Sequence, residues 1–144
     1  MSPVVRSVIG VLAGIAVAMF VIAGIEHLAS LAFPPPEELD PGNPDDRRRM
    51  IEEAPTGALM LVVAAYAIGT FIGGFVAARF APRMPNLHAG LVATAIIAGT
   101  AWNLASYQHP PWFWAASIAA IVFAGIGAAR LGDVTRANRK APAR

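Results

Sequence analysis

Cysteine is absent from this chain of 144 residues. Without it there is no disulfide framework, no thiolate nucleophile and no cysteine-based metal site. Charge is scarce as well. Asp, Glu, Lys and Arg make up only 14% of the residues, against about 25% in an ordinary soluble domain. Also missing are a glycine-rich phosphate loop, a zinc-ligand spacing and a basic stripe interleaved with aromatics. Nucleotide, zinc and nucleic-acid chemistry therefore have no footing, and no cofactor or metal is expected.

What fills the space is apolar. Hydrophobic residues reach 56% and mean hydropathy is +0.56, with the few charges segregated from long uncharged windows. A bilayer core asks for about 20 apolar residues of helix, and four stretches supply them. They run over about 4–33, 57–80, 87–107 and 111–131. Pro3 precedes the first, and the Pro34-Pro35-Pro36 run stops it. Thr56 is the expected cap of the second and Asn86 of the third, while Pro111 suits the first turn of the fourth. In lipid, runs of this length satisfy their backbone only as helix. The expected fold is an all-α integral membrane four-helix bundle, one domain over 1–144, with the lipid bilayer as its first partner.

The first span has an early arginine, but its apolar run from Val8 to Ile25 exceeds the usual 7–15 residues of a signal peptide and no A-x-A site follows. It reads as a retained span. Orientation follows the basic residues. Arg6, Arg79, Arg83, Arg130, Arg136, Arg139, Lys140 and Arg144 all fall on one side of an even number of spans, the last four of these in a basic tail, 132–144. The other side has Arg47, Arg48 and Arg49 in a loop that also holds seven acidic residues. Both termini are therefore expected to be cytoplasmic, in a bacterial inner membrane. Trp102, Tyr107, Trp112 and Trp114 gather at the opposite end as an aromatic belt.

The outer loop, 34–55, starts with prolines that favour extended structure. "NPDDRRRMIEEAP" then reads as a short helix, about 44–54, with Asn43 as cap, Pro44 in first position and Asp45 and Asp46 in the first turn. Arg48–Glu52 and Arg49–Glu53 are spaced to pair along it, and Met50 and Ile51 are placed to dip towards the membrane. A docking patch for a partner or head groups competes here with a self-paired helix that caps the bundle; the second is the simpler account.

Two segment pairs look alike. "EHLASLAFPPP" (Glu26–Pro36) aligns with "WNLASYQHPPW" (Trp102–Trp112), and "GGFVAARF" (Gly73–Phe80) with "AGIGAARL" (Ala124–Leu131). This order predicts a parallel 2+2 internal repeat about an axis along the membrane normal. Close helix packing should come from small residues four apart: Gly10 and Gly14 in span one, Gly69 with Gly73 and Gly74 with Ala78 in span two. Ala95 and Gly99 lead to Asn103 in span three. Span two is the expected central or dimer-forming helix.

Ionisable groups inside spans default to functional hypotheses. Glu26 and His27 lie about 10 Å below the outer end of span one, at the level of Asn103 in span three. Ser30 is one turn above Glu26. These four form the expected intramembrane polar cluster. Adjacent residues diverge by about 100° on a helix, so one of Glu26 and His27 faces the bundle and the other the interface. His88 and His109 lie at opposite ends, which leaves a thin ligand set for zinc. A carboxylate beside a histidine can carry a proton, yet the plainest role is to pin span one against span three.

Four short spans with one acidic residue in the first resemble small multidrug-resistance-type transporters, whose glutamate lies nearer mid-helix and which lack this long charged loop. The pattern of an apolar span, "FPPP…LDPGNPDD", "PTGALMLVVAAYAIGTFIGGFVAAR" and two further spans resembles uncharacterised small bacterial integral membrane proteins. That resemblance implies topology and no activity. The expected role is non-catalytic: an accessory, scaffold or assembly subunit, present as a homo-oligomer or within a larger membrane complex. The competing expectation is a minimal proton-coupled transporter that works as a dimer through Glu26.

Overall fold

Ser2 opens the first helix. Its hydroxyl accepts the Val5 N–H at 3.3 Å and Pro3 takes the first helical position, where its missing N–H costs nothing. In the computed structural model, which describes residues 1–107 and 109–140, α1 spans Pro3–Ala32 and ends where the proline run begins. A short α2, Pro44–Glu52, interrupts the loop that follows. Then come α3 (Thr56–Phe80), α4 (Pro85–Ser106) and α5 (Pro111–Lys140). Among the described residues there is no strand. The helices α1, α3, α4 and the Pro111–Thr135 part of α5 are long and apolar enough to cross a membrane.

Several helix boundaries differ from expectation. The cap of α3 is Pro55, with Thr56 already helical, and no side chain caps its first N–H groups. Helix α4 starts at Pro85, ahead of Asn86, because Met84 adopts a left-handed conformation (φ 52°, ψ 60°) that turns the chain sharply out of α3. Helix α5 does not stop at Leu131 but continues to Lys140. "LGDVTRANRK" contains no proline and only one glycine, so once the apolar stretch is over nothing in it breaks a helix already formed. The loop helix ends at Glu52 and follows the expected code: Asn43 Oδ1 accepts the Asp45 N–H at 3.0 Å, and Arg48 pairs with Glu52 at 2.8 Å. The Arg49–Glu53 pair is longer, 3.6 Å.

In cross-section the bundle is a diamond. Helices α3 and α4 lie on its short diagonal and each touches the other three long helices, whereas α1 and α5 sit at the far corners and make no contact with each other among the described residues. Helices α1 and α4 run towards the proline-rich loop, α3 and α5 away from it.

The α1–α3 seam is the tightest. A Cβ built on Gly14 would lie 2.6 Å from the Gly73 carbonyl oxygen, and one on Gly69 2.8 Å from that of Ala18. On Gly10 it would meet Phe80 Cβ at 2.9 Å. Only the absence of side chains lets the two backbones come this close, and dispersion between them replaces the hydrophobic drive that lipid does not supply. Gly74 plays the same part against Ala128 of α5, 3.0 Å from a built Cβ. Gly99 does not: a Cβ there would meet nothing within 4 Å. It belongs to no helix seam. The larger core residues, Phe113, Leu104, Ile121 and Val92, fill the space around the diagonal.

The loop is fastened by Arg47. Its Nη1 donates to the Tyr107 hydroxyl at 2.7 Å, and Nε and Nη2 donate to the Pro41 carbonyl at 3.0 and 2.6 Å. One guanidinium thus ties α2, the extended loop and the α4–α5 turn together.

Candidate functional site

The spacing of α1 explains how a carboxylate comes to face the bundle. Gly10, Gly14, Ala18, Ile22 and Glu26 recur every four residues, and the first four are buried. On a helix of 3.6 residues per turn each such step advances by about 40°. Over the two steps from Ala18 to Glu26 the stripe therefore rotates by about 80° out of the α3 seam. Ala29 takes over the buried position one turn further on, and Glu26 is left at the mouth between α1 and α4.

There it lines a cleft with a volume of about 200 Å³. Tyr66 from α3 closes the floor, and Thr100 and Asn103 from α4 form the facing wall, with Met19, Ile22, Ala95, Ile96 and Gly99 below. Tyr66 and Thr100 are buried, Glu26 is half-buried and Asn103 is exposed at the rim. Gly99 has its place here: its bare backbone holds the wall open where a side chain would fill the cleft. Glu26 is six residues from the end of α1, about 9 Å of helix, and Thr100 is equally far from the end of α4. The cleft is therefore a feature of the loop-end half of the bundle.

Of the four residues expected to gather, the cleft brings together Glu26 and Asn103. His27 and Ser30 are exposed and lie outside it. The Ser30 hydroxyl donates to the His27 carbonyl at 2.7 Å, a bond within α1 that joins it to nothing across the bundle. Ser30 follows Glu26 by four residues, and the same 40° drift that brings Glu26 into the cleft carries Ser30 past it. The His27 ring, 100° from Glu26, faces outwards. Among the described residues no three His, Asp or Glu side chains form a metal-holding group. His88 is buried at the far end of α4, with Nδ1 3.1 Å from the Met84 carbonyl. His109 stacks on Phe113 with ring centroids 5.1 Å apart.

Tyr66 and Thr100 escaped the sequence reading. Tyr66 had one legible mark, as a hydroxyl-bearing ring within an otherwise apolar run. Thr100 had none, since threonine is ordinary in such helices and its partner surface depends on how α1 crosses α4.

Chemically, the cleft offers a carboxylate, a phenol, a hydroxyl and an amide within one concavity. That set suits a donor-rich polar group or a proton. At about 200 Å³ it is below the roughly 300–1,000 Å³ of drug-sized ligand sites. Comparison with known proteins returned no matching family model, no matching curated protein and no matching solved structure.

Proposed function

We propose that the chain is a non-catalytic accessory or assembly subunit of a bacterial inner-membrane complex, or of its own homo-oligomer, and that the α1–α4 cleft is where it receives a polar group from a neighbouring helix. The observation that carries this reading is the cleft's small size together with the carboxylate, phenol and amide that line it. A carboxylate within an apolar span is costly unless something polar meets it. The opening beside it has room for one polar side chain but not for a drug-sized substrate. Asn103 and the bare Gly99 at the rim are what a docking helix needs, namely a hydrogen-bonding group beside close access to backbone. Eight basic residues on the terminal side, against a loop whose three arginines are outnumbered by seven acids, support cytoplasmic termini.

The absence of native cysteine makes the test direct. A single Asn103→Cys variant, isolated in mild detergent, should form cross-links to a second copy or to a co-purifying membrane partner. Glu26→Gln should weaken that association by about three- to tenfold. A monomer that cross-links to nothing, with Glu26→Gln indistinguishable from the parent, would remove the basis of the proposal.

One observation favours a second reading, a minimal proton-coupled small-molecule transporter: the cleft leads directly to Glu26. On that reading reconstituted vesicles show substrate-driven proton movement that Glu26→Gln abolishes, and association is unaffected by the substitution.

A further inference from the structure

The opposite end of the bundle holds a second polar concavity. It lies between the start of α1, the end of α3 and α5, and has a volume of about 240 Å³. Arg6 and Arg79 line it from two sides and Thr135 from a third, with Ala81, Pro82 and Gly132 between them. Arg6 is held in place: its Nε donates to the Phe80 carbonyl at 3.1 Å, at the point where α3 ends. That single bond satisfies an orphan carbonyl of the helix terminus and spends one of five guanidinium donors. The four N–H groups on Nη1 and Nη2 remain as a fork without a partner among the described residues. Arg79 likewise makes no ion pair there.

The charge around this concavity is one-sided. Arg83 and Arg130 are exposed nearby in sequence but do not line it. The acidic residue of this region, Asp133, is exposed and is also not among the lining residues. A lone Arg79 in the last turn of α3 would need no more explanation than the helix dipole. Two arginines lining one concavity are a different matter, because together they make it a place where an anion is favoured. Thr135 adds a hydroxyl whose oxygen lies 3.0 Å from the carbonyl oxygens of both Leu131 and Gly132, and whose single proton can rotate from them towards an acceptor in the pocket.

We propose that this concavity is a phosphate-group site, in which Arg6 and Arg79 fork the oxygens and Thr135 supplies a further donor. Guanidinium forks match tetrahedral oxyanions in a way point charges do not. The apolar surface beside the pocket, where Phe80 and Leu131 are exposed, is laid out for the acyl chains of an anionic phospholipid whose headgroup the pocket takes. A free phosphate offers the same oxygens without the chains.

The test uses the full-length protein in nonionic detergent. Native mass spectrometry measures retention of phosphatidylglycerol against phosphatidylcholine, and thermal shift with inorganic phosphate runs alongside. The parent should retain phosphatidylglycerol about tenfold better than phosphatidylcholine, and the double variant R6Q/R79Q should lose that preference. The control R83Q/R130Q removes the same formal charge outside the pocket, so it reports what net charge alone contributes. It should keep most of the preference. R6K/R79K keeps charge and fold, and should lose about threefold because an ammonium cannot fork. Stabilisation by inorganic phosphate with no preference between the lipids, lost in R6Q/R79Q, keeps the phosphate site and makes its ligand soluble. Equal losses in the two glutamine pairs, or neither lipid preference nor phosphate response in the parent, overturns the proposal.

Discussion

Replacing Gly73 by alanine tests how α1 and α3 are held. The added methyl would fall inside the carbonyl oxygen of Gly14 and stand 2.7 Å from Ala18 Cβ and 3.1 Å from Ala18 N. Two of these three neighbours are backbone atoms, which no rotamer change can move. Carbon atoms settle at about 3.5–4.0 Å, so the helices must part by about 1 Å along the closest stretch of their seam. Overpacking of this kind costs about 1–3 kcal/mol, and rigid backbone on the other side puts Gly73 near the upper end. The better helix propensity of alanine returns about 1 kcal/mol. The net expectation is a loss of about 2 kcal/mol. Gly24 is the internal control, since a Cβ built there meets nothing within 4 Å. Gly24→Ala should therefore leave stability unchanged or raise it by up to about 1 kcal/mol. The assay is unfolding in mixed micelles on raising the SDS fraction, followed by the fluorescence of Trp102, Trp112 and Trp114. Equal midpoints for the two variants would refute the packing account of the α1–α3 seam.

Other expectations follow from single contacts. Arg47→Ala cuts the tie between Pro41, α2 and Tyr107, so limited proteolysis should open the 37–53 segment while the bundle's unfolding midpoint moves by less than that of Gly73→Ala. Glu52→Gln removes only an exposed ion pair with Arg48, and stability measured in the same assay should change by less than about 0.5 kcal/mol. Met84 holds a left-handed backbone conformation (φ 52°), which costs a non-glycine residue about 1–2 kcal/mol. Met84→Gly should raise the thermal midpoint, offset in part by the greater freedom glycine gives the unfolded chain. Thr70 is fully buried and its hydroxyl has no hydrogen-bond partner among the described residues. Thr70→Val, which exchanges that hydroxyl for a methyl of nearly equal shape, should stabilise by about 1 kcal/mol in the same measurement.

The four long helices could be read from the sequence because lipid leaves an apolar run of this length no alternative to helix. Even the loop helix was legible, since Asn43, Pro44 and the Asp45–Asp46 pair spell out a helix start. The boundaries that misled were those set by backbone geometry more than by residue type. Met84 turns the chain in a conformation that methionine does not advertise, and it moves the start of α4 ahead of Asn86. The polar cluster was half legible for a related reason. Depth along a helix follows from counting residues, which placed Glu26 and Asn103 in the same half of the bundle, although Thr100 and not Asn103 is as far from its helix end as Glu26. Facing direction depends on where neighbouring helices cross. Ser30, on the same stripe as Glu26, has already drifted past the cleft, and Gly99, expected in a helix seam, lines the cleft wall instead. Tyr66 and Thr100 enter only once α1, α3 and α4 are assembled.

The diamond arrangement also bears on the order in which the protein is built. Helices α1 and α3 are synthesised before α4 and α5, and the close approach of their backbones at Gly14, Gly69 and Gly73 is made between these two helices alone. Helix α5 is made after α4 and, among the described residues, makes no contact with α1; it docks on a surface that α3 and α4 already present. Biogenesis can then proceed as a hairpin followed by two additions, each arriving at a finished face, with no step that must reopen an earlier one. The α1–α4 cleft is a gap that such a sequence leaves open, since α5 docks on the far side of the diagonal and does not reach it.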